Sequence, residues 1–267
     1  MTKLTALTTM CADYFEESGD IVPGGEALNF AAAASVYKNA NVSIIGAIGD
    51  DPCGEKILEV ITSKGIDKTC LHIVKDGRTA CNRIFLTKDG DRYFKDNSWD
   101  GGADNEFILS ERDIEKLAAS DIVYTHYWCP NFARIAELKA SCGFKLAVDF
   151  DVIRDLALLE KNAVLTDFFF ISGEESILPF FRSLSEKYPA IFNITLAEKG
   201  SVTYQNGSEY RIKAVPVDGA VDTTGCGDSY HAGFICEYAE SGSIARAMNE
   251  GGKAAAKILS HIGGINM

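Results

Sequence analysis

Short apolar runs alternate along this chain with segments whose apolar positions recur every three to four residues. Residues 4–9, 42–48, 122–124, 145–149, 168–171 and 191–195 read as short strands. Residues 26–37, 131–141, 153–160 and 174–187 read as helices. Pro52, just after Asp50 and Asp51, fits the first turn of another helix, whose Ile57, Leu58 and Ile61 share a face. Strands that are apolar on both faces and separated by helices predict a mainly parallel sheet covered on both sides, an α/β fold.

Between about 68 and 98 the pattern changes. Residues 79–87 and 92–94 read as two strands joined at an Asp-Gly turn, 88–91. We expect an antiparallel patch set into the alternating chain, with 12–22 supplying a further strand. Residues 201–204 and 209–212, about Asn206 and Gly207, predict a hairpin. Helices at 228–240 and 244–262 close the chain. No repeat, low-complexity run or linker breaks it, so one domain over 1–267 is expected.

Composition narrows the partners. The 267 residues are 46% apolar and carry a net charge of −12, which disfavours nucleic acid or an anionic membrane as a partner. A locally positive site in such a chain can still hold ATP. The eight cysteines form no Cys-x-x-Cys pair, so reduced thiols are expected. The first twenty residues carry Asp13, Glu16, Glu17 and Asp20 and no apolar signal core. No apolar run nears the roughly 18 residues a bilayer span needs. A soluble cytoplasmic protein is the expectation.

The chemistry centres on residues 222–234, Asp-Thr-Thr-Gly-Cys-Gly-Asp-Ser-Tyr-His-Ala-Gly-Phe. A Gly-rich turn feeding a helix leaves backbone N–H groups without partners at the positive end of the helix dipole, where an anion binds. Asp228 is then either a helix cap or a base beside a phosphoryl site. The turn is neither a Walker A loop nor a dinucleotide fingerprint. His/Cys/Glu spacing suits no zinc site, and no Gly-x-Ser-x-Gly elbow marks a hydrolase.

The whole thirteen-residue string resembles the C-terminal signature of the ribokinase-like (PfkB-type) carbohydrate kinases, with Cys226 in place of the usual Ala. Gly24-Gly25-x-x-x-Asn29 resembles the same family's first signature. The resemblance spans nearly the whole chain, and the middle region is most similar to the fructosamine kinase branch. It implies a three-layer α/β/α fold with a small antiparallel β-lid, built from about 12–22 and 68–98. It also implies transfer of the γ-phosphate of ATP to a sugar or fructosamine hydroxyl, with Mg²⁺ and in some relatives K⁺. A ribokinase, fructokinase or nucleoside kinase of this fold, or a non-catalytic sugar-binding relative, remains open.

Residue by residue, the resemblance implies that Asp228 is the catalytic base and that Gly225, Cys226 and Gly227 form the anion hole. Asp13, Gly24, Gly25 and Asn29 would meet the sugar. Arg83, Arg92 and Asp96 of the lid are candidates for specificity. Thr195, Glu198, Gly200 and Asn249, with Gly225 and Gly227, would meet the nucleotide, although Ala197 stands where the family has Gly. Glu175 matches the glutamate that organises the magnesium water shell, and Ser172 replaces that motif's Asn. Arg154 would face a phosphate, Asp149 would join the substrate or ion network, and Asp222 and Thr224 mark the monovalent-cation position. The lid would exclude water and offer a homodimer surface. Cys226 puts a thiol in the anion hole, where its contribution would be its backbone N–H.

Overall fold

The computed structural model describes every residue except 87–91, 94, 218, 221, 266 and 267, with the backbone alone at 86, 92 and 93. The strands are β1 (Thr2–Leu7), β2 (Cys11–Phe15), β3 (Ile21–Gly24), β4 (Ala40–Gly49), β5 (Asp67–Val74), β6 (Ala80–Leu86), β7 (Arg92–Tyr93), β8 (Trp99–Asp100), β9 (Ile122–His126), β10 (Lys145–Asp149), β11 (Phe168–Ser172), β12 (Ile191–Thr195), β13 (Ser201–Gln205) and β14 (Ser208–Ile212). The helices are α1 (Glu26–Ala34), α2 (Pro52–Ser63), α3 (Gly102–Asn105), α4 (Glu111–Ala118), α5 (Phe132–Cys142), α6 (Leu156–Ala163), α7 (Leu178–Lys187), α8 (Cys226–Ser241) and α9 (Ile244–Ile258).

Nine strands form the main sheet in the order β14-β13-β12-β11-β10-β9-β1-β4-β5. Pairing is parallel from β5 to β12 and antiparallel across β12, β13 and β14. Successive strand residues point to opposite faces, which splits the core in two. Phe168, Phe170 and Tyr124 pack on one face with Phe30 of α1 and with Phe234 and Met248 of α8 and α9. Phe169, Ile171 and Val123 pack on the other with Ile135, Leu159 and Phe181 of α5, α6 and α7. The architecture is three-layer α/β/α, as the strand and helix pattern implies.

A second, smaller sheet runs β3-β2-β6-β7, with β8 also on β6. Its pairs are antiparallel except β2–β6, which are parallel. Two boundaries differ from expectation. The 12–22 segment holds two strands, β2 and β3, folded on each other. The lid does not begin at 68, because Asp67–Val74 is β5 and pairs parallel with β4 at the edge of the main sheet. The Asp-Gly turn at 88–91 lies outside the described residues.

The two sheets are tied at the start of β6. Asp51 caps α2 by accepting from the Gly54 amide at 2.8 Å. It also accepts from the Thr79 amide and hydroxyl at 2.8 and 2.6 Å. These donors hold the Asp51 carboxyl below the usual range against the opposing effect of partial burial. No described helix is long and apolar enough to cross a membrane.

Candidate active site

The carboxyl ends of β1 and β9 face the gap between the two sheets, where ligands of open α/β sheets bind. A cavity of about 570 Å³ lies there. The second sheet contributes Asp13, Asn82 and Trp99, while the body contributes Gly25, Asn29 and Asp228 among others.

Gly25 precedes α1 with φ 94° and ψ 148°, a conformation open essentially to glycine. A Cβ there would lie 2.4 Å from the Thr9 carbonyl oxygen. The tight approach turns α1 so that Asn29 looks into the cavity. Gly225 plays the same part before α8: its φ is 75°, and a Cβ would meet the Gly264 Cα at 2.4 Å.

Asp228 is therefore the third residue of α8, and no described side chain caps that helix. Its carboxylate turns into the cavity instead, accepting from Asn29 Nδ2 at 2.9 Å and from the Tyr124 hydroxyl at 3.2 Å. Burial, and next the charge of Glu26, push its pKa up to about 7, against the lowering effect of these two donors. A carboxyl poised there suits proton transfer near neutral pH. Tyr124 is clamped by stacking on Phe30, centroids 3.9 Å apart. Its hydroxyl also lies 3.1 Å from His231 Nδ1, and burial keeps that imidazole neutral by lowering its pKa to about 3. Asp149, whose side chain is 14% exposed, has its pKa raised by burial and then by Asp228. One ligand atom each from Asp149, Asp228 and His231 falls within 4.8 Å of the others.

Helix geometry leaves the first amides of α8 without intrahelical acceptors. The Cys226 amide bonds back to the Thr223 carbonyl at 3.2 Å, so Gly227 and Asp228 hold the outward-facing donors of that turn. Asp222 organises the loop: Oδ1 accepts from the Thr224 amide and hydroxyl at 3.0 and 2.8 Å, and Oδ2 from the Gly263 amide at 2.9 Å.

Three buried polar atoms with no described partner belong to residues of this one cavity: Asn29 Oδ1, Asp104 Oδ1 and His126 Nδ1. Buried polar atoms in folded proteins normally have partners. These three atoms are open to a polar ligand in the cavity.

The family comparison bears on this cavity and its buried carboxyl. Residues 16–267 match the model of the pfkB family of carbohydrate kinases. The chain belongs to that family. It is 30% identical over 266 residues to a fructoselysine 6-kinase of Shigella flexneri, covering 98% of this chain and 99% of the relative. It is 26% identical to a fructosamine kinase of Bacillus subtilis, over 96% of this chain and 90% of that one. Among solved structures, an Arabidopsis thaliana ribokinase complexed with ribose and ATP matches with a TM-score of 0.84 at 19% identity, covering 98% of this chain and 94% of that one. The chain is an ATP-dependent carbohydrate kinase of ribokinase-like fold.

In this PfkB kinase the expected site residues divide into two sets. Asp13, Gly24, Gly25, Asn29, Thr224, Gly225 and Asp228 line the cavity. A second set lies along the β10, β11 and β12 ends. Thr195 shares a hydrogen bond with Ser172 at 3.0 Å. Glu198 is exposed on a short 3₁₀ turn, and Gly200 (φ 96°) closes that turn where a Cβ would lie 2.2 Å from the Ile212 carbonyl. Ala197 adopts φ 52° without the help of glycine. Glu175 is exposed and 3.5 Å from Arg211. Arg154 is exposed and donates to the neighbouring Ile153 carbonyl at 3.0 Å. Asn249 is exposed on α9, donating to Ala245 of its own helix at 2.8 Å.

Of the lid candidates, the Arg92 backbone lies in β7 and its side chain is outside the described residues. Asp96 is exposed in a turn, and Arg83 pairs with Glu16. The Cys226 thiol is a correction. It does not face the anion hole but points at the Ala255 carbonyl of α9, 3.7 Å away. Burial there, with Asp222 and Asp228 nearby, pushes its pKa up to about 11.

Sequence reasoning missed Glu26, Asp104, Tyr124, His126, Trp128 and Gly263–Gly264. A signal existed for Tyr124, the last residue of the predicted strand 122–124, and for His126 two residues on, at the carboxyl end of β9. Trp128 follows it by two residues. Nothing local marked Asp104 or the closing glycines.

Proposed function

We propose that this kinase transfers the γ-phosphate of ATP to a primary hydroxyl of a fructosamine such as fructoselysine, with Asp228 as general base. The reading is carried by the Asp228 carboxylate, buried at the start of α8, held by Asn29 and Tyr124, and poised near neutral pH. The relatives named fructoselysine 6-kinase and fructosamine kinase support the acceptor class. So does the cavity wall, which among the described residues carries four carboxylates (Asp13, Glu26, Asp104 and Asp228) and no lysine or arginine.

In the reaction, the acceptor sits against Asn29, Asp13 and the Gly24–Gly25 turn, with its hydroxyl beside Asp228. As that oxygen bonds to the γ-phosphorus, its proton passes to Asp228, the bond from phosphorus to the β–γ bridging oxygen breaks, and ADP leaves. Proton removal of this kind contributes roughly 10²–10⁴ in rate. With the Cys226 amide bonded back to Thr223, the Gly227 and Asp228 amides of this turn meet the charge on the transferred group; one such donor is worth roughly 10²–10³ in rate elsewhere. Thr195, Glu198, Gly200 and Asn249 flank the nucleotide and Arg154 its phosphates. The second sheet closes over the acceptor and keeps water from the phosphoryl group, and its outer face pairs two copies as a homodimer.

Glu175 suits Mg²⁺, since an exposed carboxylate whose only described partner is an arginine 3.5 Å away keeps lone pairs for the ion's water shell. The ion would neutralise phosphate charge. Asp222 and Thr224 suit a monovalent cation less well, because both Asp222 oxygens already take N–H or O–H donors.

The test is ADP release across fructosamines, ketohexoses, pentoses and nucleosides, with Asp228→Asn as control. We expect turnover of fructosamines and a loss of roughly 10²–10⁴ in kcat for the variant. Equal ADP release by both proteins would overturn the base, and activity confined to ribose or adenosine would overturn the acceptor.

A further inference from the structure

We propose that Asp104, with Glu26 beside it on the cavity wall, binds the protonated amine of the acceptor and sets the preference for an aminated sugar over a neutral one. The inference rests on the acceptor class proposed above and assigns that preference to particular residues.

Asp104 enters the cavity from α3, just after the Gly101–Gly102 turn. Its residue is only 3% exposed, and Oδ1 has no hydrogen-bond partner among the described residues. Thr9 assists it, yet the same Thr9 hydroxyl lies 2.7 Å from His126 Nε2. With its proton on Nε2, His126 donates to Thr9 and leaves the hydroxyl proton for Asp104, whose Oδ1 still lacks a partner among the described residues. Burial above all, and then the negative charge of Glu26 in the first turn of α1, push the Asp104 pKa up to about 7.

A buried carboxylate without a cation is costly, and structures retain one where a partner arrives. Among the described residues no lysine or arginine lines this cavity. His126 cannot take the part, because burial lowers its pKa and keeps it neutral. Among the described groups of the cavity none supplies the cation, which leaves the ligand as its source. A sugar hydroxyl would satisfy the lone pair of Oδ1 but leave the charge of two carboxylates uncompensated, whereas an ammonium group meets both needs. Trp99 and Trp128, 45% and 64% exposed, also line the cavity. Aromatic faces beside a cation add to the same preference.

The experiment compares a fructosamine with D-fructose, its neutral counterpart, as acceptors for wild type, Asp104→Asn and Glu26→Gln. For Asp104→Asn, the ratio of kcat/KM for fructosamine over fructose should fall roughly 10–100-fold, through the fructosamine KM, as loss of a charge-assisted hydrogen bond dictates. Glu26→Gln should move the ratio in the same direction by less. A second arm needs no variant: acetylating the fructosamine nitrogen removes its charge, and wild type should show a KM penalty of the same order. Equal losses on both acceptors, or an unchanged fructosamine KM in both arms, would overturn the assignment while leaving the acceptor class intact. Wild-type turnover of fructose with none of any fructosamine would instead remove the acceptor class, and this inference with it.

Discussion

The proposed acceptor side and the proposed nucleotide side of this active site are built in different ways. The acceptor side is a walled cavity whose parts come from both sheets, α1, α3, α8 and the 263–264 turn, and it already holds three orphaned polar atoms. The nucleotide side is a row of strand ends with exposed side chains. There Glu198 and Asn249 make no described contact across the site, and Glu175 and Arg154 find only local or solvent-exposed partners. One side is preorganised by its packing. The other offers backbone, helix dipole and solvent-facing charge, which suits a ligand that carries its own rigid base and charged tail. Substitutions should therefore be severe on the first side and mild on the second.

The sharpest break would come at Gly25. Gly25→Ala places a Cβ 2.4 Å from the Thr9 carbonyl in a glycine-only conformation. We expect a stability loss of roughly 3 kcal/mol or more, read by urea unfolding, together with loss of acceptor binding.

Asp228→Asn separates activity from stability. The folded state holds the Asp228 proton up to about pH 7, while the unfolded chain releases it near 4, so this group's burial costs stability increasingly as pH rises between the two. The inactive variant should melt about 2–4 °C above wild type at pH 8, with a smaller gain at pH 5. An equal gain at both pH values would argue against the raised pKa.

Tyr124→Phe removes a donor to the base, and that donor lowers the Asp228 pKa. The acid limb of kcat/KM should move to higher pH by roughly half a unit to one unit. A limb that stays put would show that Tyr124 is held by its stack on Phe30 for packing alone.

On the nucleotide side, Glu198→Ala and Asn249→Ala should each change the KM for ATP by about twofold or less, the scale of exposed positions. A tenfold effect from either would erase the contrast. The smallest effect is at Ala197, held at φ 52°. Ala197→Gly relieves the left-handed strain and should stabilise by up to about 1 kcal/mol.

The contrast also explains what could be read from the chain alone. The central strands carry runs such as Phe168-Phe-Phe-Ile171, and a residue that must be apolar on both faces announces itself. The signature around Asp228 is legible because anion hole, helix start and base follow one another within a few residues. β5 escaped because it is an edge strand whose residues are mostly exposed or half-buried, so no apolar run marks it. The Cys226 thiol was misplaced because its direction depends on α9, which packs on α8 from more than twenty residues away. Asp104 looks like any acidic residue after Gly-Gly-Ala; its burial and missing partner exist only once α3 closes against β4 and β6.

The parallel pairing of β2 with β6 has a kinetic consequence. It joins Asp13 to Asn82, about seventy residues away, with β3, α1, β4, α2 and β5 in the loop between them. Closing so long a loop is entropically unfavourable until the intervening units have docked. The second sheet should therefore assemble after the α/β body and open before it. Backbone amides of β2 and β6 would exchange with solvent through a local opening that leaves those of β9 and β10 protected, so acceptor entry and late folding would share one hinge.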